Sequence, residues 1–293
     1  MRIVVIVPFL DEERHLPVFL ESMLAQTRPP DELVLVDDGS HDGSYEIAAR
    51  FARGHAGVRA LARERRSSPG ADRLLAAGEF CAFTETLATQ VPPGWDVVAK
   101  MDADLRLVPE LIARLEREFE RDPQLGLAGS YLSEHDGNGR PRRVRIRPEH
   151  VHGATKFYRR ECWEQIAPVP RILGWDMIDE VIASQRGWTT RSFAIPGGDP
   201  LHLRERGSHD GLLRGHRRWG MGAWAGGHSP LFVAVFCLRE MRARPRVLGG
   251  LNYAAGYLQG AARRLPRADR EVRAVTRRRQ RRRLWRRLTG RAT

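Results

Sequence analysis

An alternation of short β-branched runs with amphipathic stretches narrows the fold of this chain more than any other feature. Residues 4–7 (Val-Val-Ile-Val) are a continuous apolar run, the pattern of a strand buried on both faces. Leu16, Phe19, Leu20, Met23 and Leu24 then recur at i, i+3, i+4, i+7 and i+8, which predicts a helix ending before Pro29-Pro30. Residues 33–36 read as a second strand, 44–53 as a helix and 58–61 as a third strand. After a helix expected near 74–89, residues 97–101 form a strand, and Leu111, Ile112, Leu115 and Phe119 mark the next helix. A further strand begins at 125–130, whereas 134–148 is polar, basic and expected to be a loop. Strands alternating with helices pack as right-handed βαβ units. The expected fold is α/β, a mostly parallel Rossmann-like sheet flanked by helices. In such sheets ligands gather at the carboxyl ends of the strands.

Acids stand at three of those ends. Asp102-Ala103-Asp104 follows the strand at 97–101, and two carboxylates at i, i+2 on extended chain point the same way. Hard oxygen ligands suit Mg²⁺ or Mn²⁺, which would bridge them to a diphosphate and neutralise charge as that group leaves. Taken alone the pair also reads as two surface aspartates in a turn. Asp37-Asp38-Gly39-Ser40 closes the second strand; its carboxylates can accept from a base N–H or ribose hydroxyls, or can cap the next helix. Asp11 and Glu12 follow the first strand after Pro8, and capping is again the competing reading. Three acidic turns converging on one sheet edge point to a single site.

Composition excludes several other classes. Cys81, Cys162 and Cys237 lie far apart with no CxxC pair, against a disulfide framework or a structural zinc site and in favour of a reducing compartment. The apolar run at 3–10 contains Pro8 and leads into Asp11-Glu12-Glu13, too short for a membrane span and without a signal-peptide cleavage pattern. Net charge is +13, of which residues 263–291 carry 14 arginines against two acids. The positive charge therefore belongs to a tail and not to the body.

At this point the motifs resemble a known family. Val7-Pro8-Phe9-Leu10-Asp11-Glu12, Val36-Asp37-Asp38-Gly39-Ser40 and Lys100-Met101-Asp102-Ala103-Asp104 are similar to the successive donor-site motifs of family 2 glycosyltransferases of the GT-A fold. The resemblance runs on through Gly153-Ala154-Thr155-Lys156-Phe157-Tyr158-Arg159-Arg160 and Gly174-Trp175-Asp176 to Gly187-Trp188. Residues 207–230 resemble, less specifically, the C-terminal extension of a bacterial branch linked to cell-surface polysaccharide synthesis.

The resemblance implies a division of labour. Pro8, Asp11, Asp37, Asp38 and Asp102 would contact the nucleotide-sugar, and Asp102 with Asp104 would hold a divalent metal, Mn²⁺ or Mg²⁺. His202, after the strand at 189–195 and the turn Pro196-Gly197-Gly198, would be a further metal or phosphate contact, or else an ordinary surface histidine. The family's general base is an acid about eleven residues ahead of a glycine, which counts back from Gly187 to Asp176. The family's usual Glu-Asp is here Trp175-Asp176, with Asp179-Glu180 one turn later, so Asp176 is the first choice of base and Asp179 the second. Asp176 is expected in a loop above the sheet and Asp179 in the first turn of a helix, where an acid also favours the helix dipole. Trp175 reads either as core or as a platform for a sugar face. The relatives' Asn-x-Gly signature is missing, Ala76-Ala77-Gly78 standing in that region, and Arg63, Arg65 or Arg66 would meet the diphosphate instead.

The expected organisation is a GT-A catalytic domain at 1–205 (a nucleotide-sugar half at 1–105, an acceptor half at 106–205), a helical basic extension at 206–262 and an Arg-rich tail at 263–293. Leu284, Trp285 and Leu288 interleave the tail's arginines, a pattern attracted to anionic lipid and also, without sequence specificity, to nucleic acid. Membrane ranks above nucleic acid because several family members glycosylate lipid-linked acceptors. The expected activity is inverting transfer from a nucleoside-diphosphate sugar, UDP first, to a hydroxyl of a glycan or lipid-linked acceptor. The expected location is cytoplasmic, peripheral at the inner face of the cell membrane. Two rivals stand beside it. One is a non-catalytic protein that uses the fold plus its Arg tail to bind an anionic partner, against which the presence of Asp38, Asp102, Asp104 and Asp176 argues. The other is a nucleotidyltransferase, which would also use metal carboxylates beside a parallel sheet. The latter would show a Gly-rich loop after the first strand, where this chain has Phe9-Leu10-Asp11-Glu12.

Overall fold

The computed structural model describes residues 1–63, 77–135, 139–204, 211–242 and 246–289. Arg65, Arg66, the expected loop around Pro69-Gly70 and the start of the helix expected at 74–89 lie outside the described residues. The chain divides into two compact units. The first comprises Met1–Ser67, Gly78–Ala167 and Ala183–Glu205; the second comprises Ser68–Ala77, Pro168–Ile182 and Arg206–Thr293.

In the first unit the apolar runs become the sheet. β1 (Ile3–Phe9) is buried at every position, followed by α1 (Leu16–Leu24), β2 (Glu32–Asp37), α2 (Ser44–Gly54) and β3 (Val58–Ala62). Then come α3 (Gly78–Gln90), β4 (Val97–Met101), β5 (Leu105–Arg106), α4 (Leu111–Arg121) and β6 (Leu125–Ser130). β7 (Ser133–His135), β8 (Pro141–Arg143), β9 (Thr155–Arg159) and α5 (Arg160–Ile166) follow, and after α6 (Trp175–Gln185) come β10 (Thr189–Phe193) and β11 (Leu201–His202). Seven strands lie in the order β10-β6-β9-β4-β1-β2-β3, all parallel except β9, which runs antiparallel to β4 and β6. The remaining strands make a smaller sheet in the order β5-β11-β7-β8. One apolar core joins the large sheet's Val5, Val7, Leu35, Ala99 and Met101 to Phe19 and Met23 of α1 and Leu115 and Phe119 of α4.

Pro8 sits in β1 without spoiling it. Pairing of β1 with β4 ends at Ile6 opposite Lys100, so the missing N–H of Pro8 falls beyond that ladder. Two expectations are corrected. Leu24, the last member of the α1 pattern, is exposed because the helix ends there. Residues 134–148 are not all loop: β7 and β8 form an antiparallel pair, with Arg143 held by Asp199 and stacked 4.8 Å from the Tyr131 ring. β8 is exposed throughout and carries no apolar alternation, so only its distant partners reveal it.

The second unit is helical: α7 (Leu212–Ala225), α8 (Pro230–Glu240), α9 (Arg246–Ala262) and α10 (Arg270–Leu288). Its division from the first unit falls within α6. The Arg-rich tail is thus a helix over most of its length. Among the described residues no helix is long and apolar enough to cross a membrane.

Candidate active site

Strand ends build the site. β4 closes at Met101, and Asp102 N–H donates to Ala154 O at 3.0 Å, fixing the exit of the strand. Residues 105–106 then pair antiparallel with β11, placing His202 opposite Leu105, and Leu203 N–H donates to Asp104 O. This small sheet is what carries a histidine 98 positions downstream to the two aspartates. His202 Nε2 lies 3.2 Å from Asp104 Oδ1 and 3.9 Å from Asp102 Oδ2. One ligand atom from each of Asp102, Asp104 and His202 can be chosen so that all lie within 4.8 Å of one another. Two carboxylate oxygens and an imidazole nitrogen form a donor set that Mn²⁺ and Mg²⁺ accept, so these three residues fit a divalent ion.

Two cations of the chain face the same acids. Lys100, buried, donates to Asp102. Arg204 Nε donates to Asp104 Oδ2 at 3.3 Å and Arg204 also pairs with Glu12. Burial opposes the charge on Asp104, yet hydrogen bonding and attraction from His202, with Arg204 behind, bring its carboxyl down to about 2. Burial, with Glu79 and Asp104 nearby, pushes Asp102 above the usual carboxylate range in spite of Lys100. Burial also pulls against protonation of His202, but Asp104 and Asp102 outweigh it and its pKa is raised. The site is a dense, nearly neutralised cluster of charges.

The second and third acidic exits lock to each other. Asp11 takes a left-handed backbone with φ 54° and accepts from His41 N–H at 2.7 Å, while its own N–H donates to Ser40 Oγ at 3.0 Å. Glu12 N–H donates to Ser44 Oγ at 2.8 Å. Asp37 is buried and accepts from Ser40 N–H at 3.1 Å, and Gly39 turns the chain at φ 87°. These acids do not cap the helices that follow them. α1 and α2 start at Leu16 and Ser44, and neither has a side-chain cap bond from its N-cap residue. Asp38 instead pairs with Arg63, which also binds Glu85. Burial raises the Asp38 carboxyl, with Arg63 opposing. Pro8 is buried at the end of β1, directly before this loop pair.

The base candidates belong to the second unit. Gly174 adopts φ 79°, Trp175 N–H donates to Ile172 O and Met177 N–H to Gly174 O, so the turn of α6 begins earlier than its sequence suggested. Asp176 is therefore in the first turn of α6 and not in a loop above the sheet. It is half-buried, whereas Asp179 is fully buried and accepts from Glu180 N–H at 2.6 Å. Ile178 and Val181 of α6 pack with Ala268 and Val272, the latter on α10. Trp175 is 5% exposed, which makes it core.

Sequence reasoning missed Arg204 and Glu79. A basic residue two positions after His202 was the available signal for the first, and an acid in the first turn of α3 for the second.

A parallel sheet with one reversed strand and acids gathered at its carboxyl edge defines a GT-A glycosyltransferase fold. The chain belongs to glycosyl transferase family 2, whose match spans residues 4–171. Among curated relatives, it is 37% identical over 117 residues to an undecaprenyl-phosphate 4-deoxy-4-formamido-L-arabinose transferase of Pectobacterium atrosepticum. That stretch is 38% of this chain and 31% of the relative, so the match spans about a third of the relative's length. Among solved structures, the mannosyltransferase PcManGT of Pyrobaculum calidifontis, in complex with GDP-Man and Mn²⁺, superposes with a TM-score of 0.53 at 19% identity, covering 94% of this chain and 78% of that one. S. aureus TarS 1-349 in complex with UDP-GlcNAc gives a TM-score of 0.51 at 16% identity, covering 88% and 72%. These likenesses are of fold.

Proposed function

We propose that the chain is an inverting glycosyltransferase that moves a sugar from a nucleoside-diphosphate donor, UDP first, to a hydroxyl of a glycan or lipid-linked acceptor. The observation that carries this reading is the Asp102–Asp104–His202 cluster at the carboxyl end of β4. Asp102, Asp104 and His202 would hold a divalent ion, which when bound supplies positive charge against the leaving diphosphate. Asp11, Asp37 and Asp38, with Pro8 beside them, would bind the nucleoside through their carboxylates and the turn they shape. Arg204, already paired with Asp104 and Glu12, is placed to turn toward a phosphate oxygen.

Asp176 would take the proton from the acceptor hydroxyl as that oxygen attacks the anomeric carbon. The bond to the diphosphate breaks on the opposite face, so configuration inverts. Exposure favours Asp176 over the fully buried Asp179, since a base must touch its substrate. The body would work in the cytoplasm, with α10 drawn to the inner face of the membrane by its arginines.

The experiment is a screen of UDP-, GDP- and dTDP-sugars with Mn²⁺, read as donor hydrolysis and as thermal stabilisation. A response in the native chain that Asp104→Ala abolishes is expected. No response in the native chain, or an unchanged one in Asp104→Ala, overturns the reading.

A further inference from the structure

In the second unit α8 and α9 turn glycines and aromatic rings inward and leave their leucines outside. α9 turns Gly249, Tyr253, Gly256 and Gly260 inward. A Cβ on Gly256 would collide with the carbonyl of Arg217 in α7, and one on Gly220 with the carbonyl of Tyr253 in α9. Against α8, a Cβ on Gly250 would stand 2.6 Å from Cys237 O. Small residues thus bring the three backbones together. The large aliphatic side chains face out: Leu231 and Leu258 are each 66% exposed, and Val235, Leu238, Leu248 and Leu251 are exposed with them. On α8 the outward residues fall at i, i+4 and i+7, and on α9 at i, i+3 and i+10, so each forms a stripe along one side of its helix.

Tyr253, Tyr257, Val233 and Phe236 fill the space between the helices, while the leucines are left outside. Small residues at close helix contacts with aliphatic ridges outward is an arrangement shared with helices in an apolar solvent. Charge limits what that solvent can be. No charged residue occurs at 230–238 or at 247–262, yet residues 211–293 hold 21 arginines against three acids. With +13 on the whole chain and +18 on those residues, residues 1–210 carry −5. Arg239, Arg242 and Arg246 flank the stripes at one end, and Arg263 and Arg264 follow α9 at the other; all are exposed. A lysine-free arginine rim around leucine ridges matches the headgroup and acyl layers of an anionic bilayer. α9 is 17 residues, roughly 26 Å at 1.5 Å per residue, short of the roughly 30 Å hydrocarbon core. It would lie along the interface and not across it.

We infer that α8 and α9 are a monotopic membrane-insertion surface whose occupant is the acyl and headgroup region of an anionic phospholipid bilayer. This deepens the membrane reading of α10 and is independent of the sugar-transfer reading: α10 supplies long-range attraction, while α8 and α9 enter the bilayer. Insertion by leucine is what would separate this surface from a merely basic one.

The test uses the full chain and vesicles of phosphatidylcholine alone or with phosphatidylglycerol, read by flotation. Two variants alter exposed positions only: the quadruple Leu231→Glu, Leu248→Glu, Leu251→Glu, Leu258→Glu, and the single Leu251→Trp. The native chain should float with the anionic vesicles at least about tenfold better than with neutral ones, and the quadruple variant should lose at least about tenfold of that binding. Circular dichroism and the Mn²⁺-dependent thermal shift of the first unit should stay unchanged in it. Leu251→Trp should show a blue-shifted emission quenched by lipids brominated on the acyl chain, a readout that does not depend on a damaging variant. Undiminished flotation of the quadruple variant, or no quenching of the tryptophan, overturns the inference. So does a concentration-dependent dimer that the quadruple variant abolishes, with no vesicle binding by the native chain, because a second copy would then be the occupant. Failure of donor turnover with vesicle binding intact would count against the sugar-transfer reading alone.

Discussion

Lys100 is one of only two lysines in the chain, and both are fully buried on neighbouring strands, opposite each other in register. Its ammonium offsets Asp102 where Glu79 and Asp104 also contribute negative charge. Lys100→Met should therefore cost about 2 kcal/mol in metal-free protein, because a partly buried carboxylate cluster loses its cation. Added Mn²⁺ should recover part of that loss, read as a larger thermal shift in the variant than in the native chain. At His228, burial with Arg283 nearby brings the pKa from 6.5 to about 4. The folded pKa lies below the unfolded one, so the unfolded chain takes the proton first as pH falls. Stability is complete above about pH 6.5 and declines toward pH 4, by roughly 2–3 kcal/mol for this largely buried ring. His228→Asn should flatten that slope in urea unfolding followed from pH 7.5 to 4.5. Asp102, Asp104 and His202 were legible one at a time, since each follows a readable strand or turn. Their partners Arg204 and Glu79 were not, because a basic residue two positions after His202 and an acid in the first turn of α3 do not by themselves say that either charge faces the cluster.

Elements differ in how openly the sequence declares them. β1, β2 and β4 hold runs of buried β-branched or apolar residues that mark their centres, although β1 runs on through Pro8 to Phe9 and β2 takes in Glu32 and Asp37. The β7–β8 pair is polar and depends on Arg143, Asp199 and pairing with β11. The start of α6 depends on Gly174 turning at φ 79° against the backbone of Gly222 in α7. α9 shows both kinds of position side by side. Gly256→Ala should destabilise the helical unit by about 2–3 kcal/mol, since the added methyl meets a backbone carbonyl that cannot yield without separating α7 from α9. Ala255→Leu, on the adjoining partly exposed position, should cost less than about 0.5 kcal/mol. Urea unfolding of the two variants measures the contrast.

At the scale of the whole molecule, charge is sorted along the chain: residues 1–210 are net acidic and residues 211–293 strongly basic. A free basic surface attracts anionic vesicles only within a Debye length, about 10 Å at 0.1 M salt and 3 Å at 1 M. Vesicle association of the full chain should weaken by about tenfold or more between 0.1 and 1 M salt if arginines supply the attraction, while the fraction already inserted through leucines should dissociate slowly. Stopped-flow mixing with vesicles at each salt concentration separates the two rates. An association rate unaffected by salt would remove the arginines from the account.

By itself the sequence determined the alternating sheet, the acidic strand ends and the basic tail, because burial on both faces and clustered charge leave patterns within ten or so residues. Tertiary structure decided which residues meet. His202 reaches Asp104 only through an antiparallel pairing of two-residue strands nearly a hundred positions apart. Asp176 stands in a helix because Gly174 turns the chain at φ 79° and its carbonyl accepts from Met177 and Ile178 N–H. The outward leucines of α8 and α9 became visible only when glycine contacts fixed which side of each helix faces the protein. Such pairings are set by long-range packing, which local periodicity does not encode.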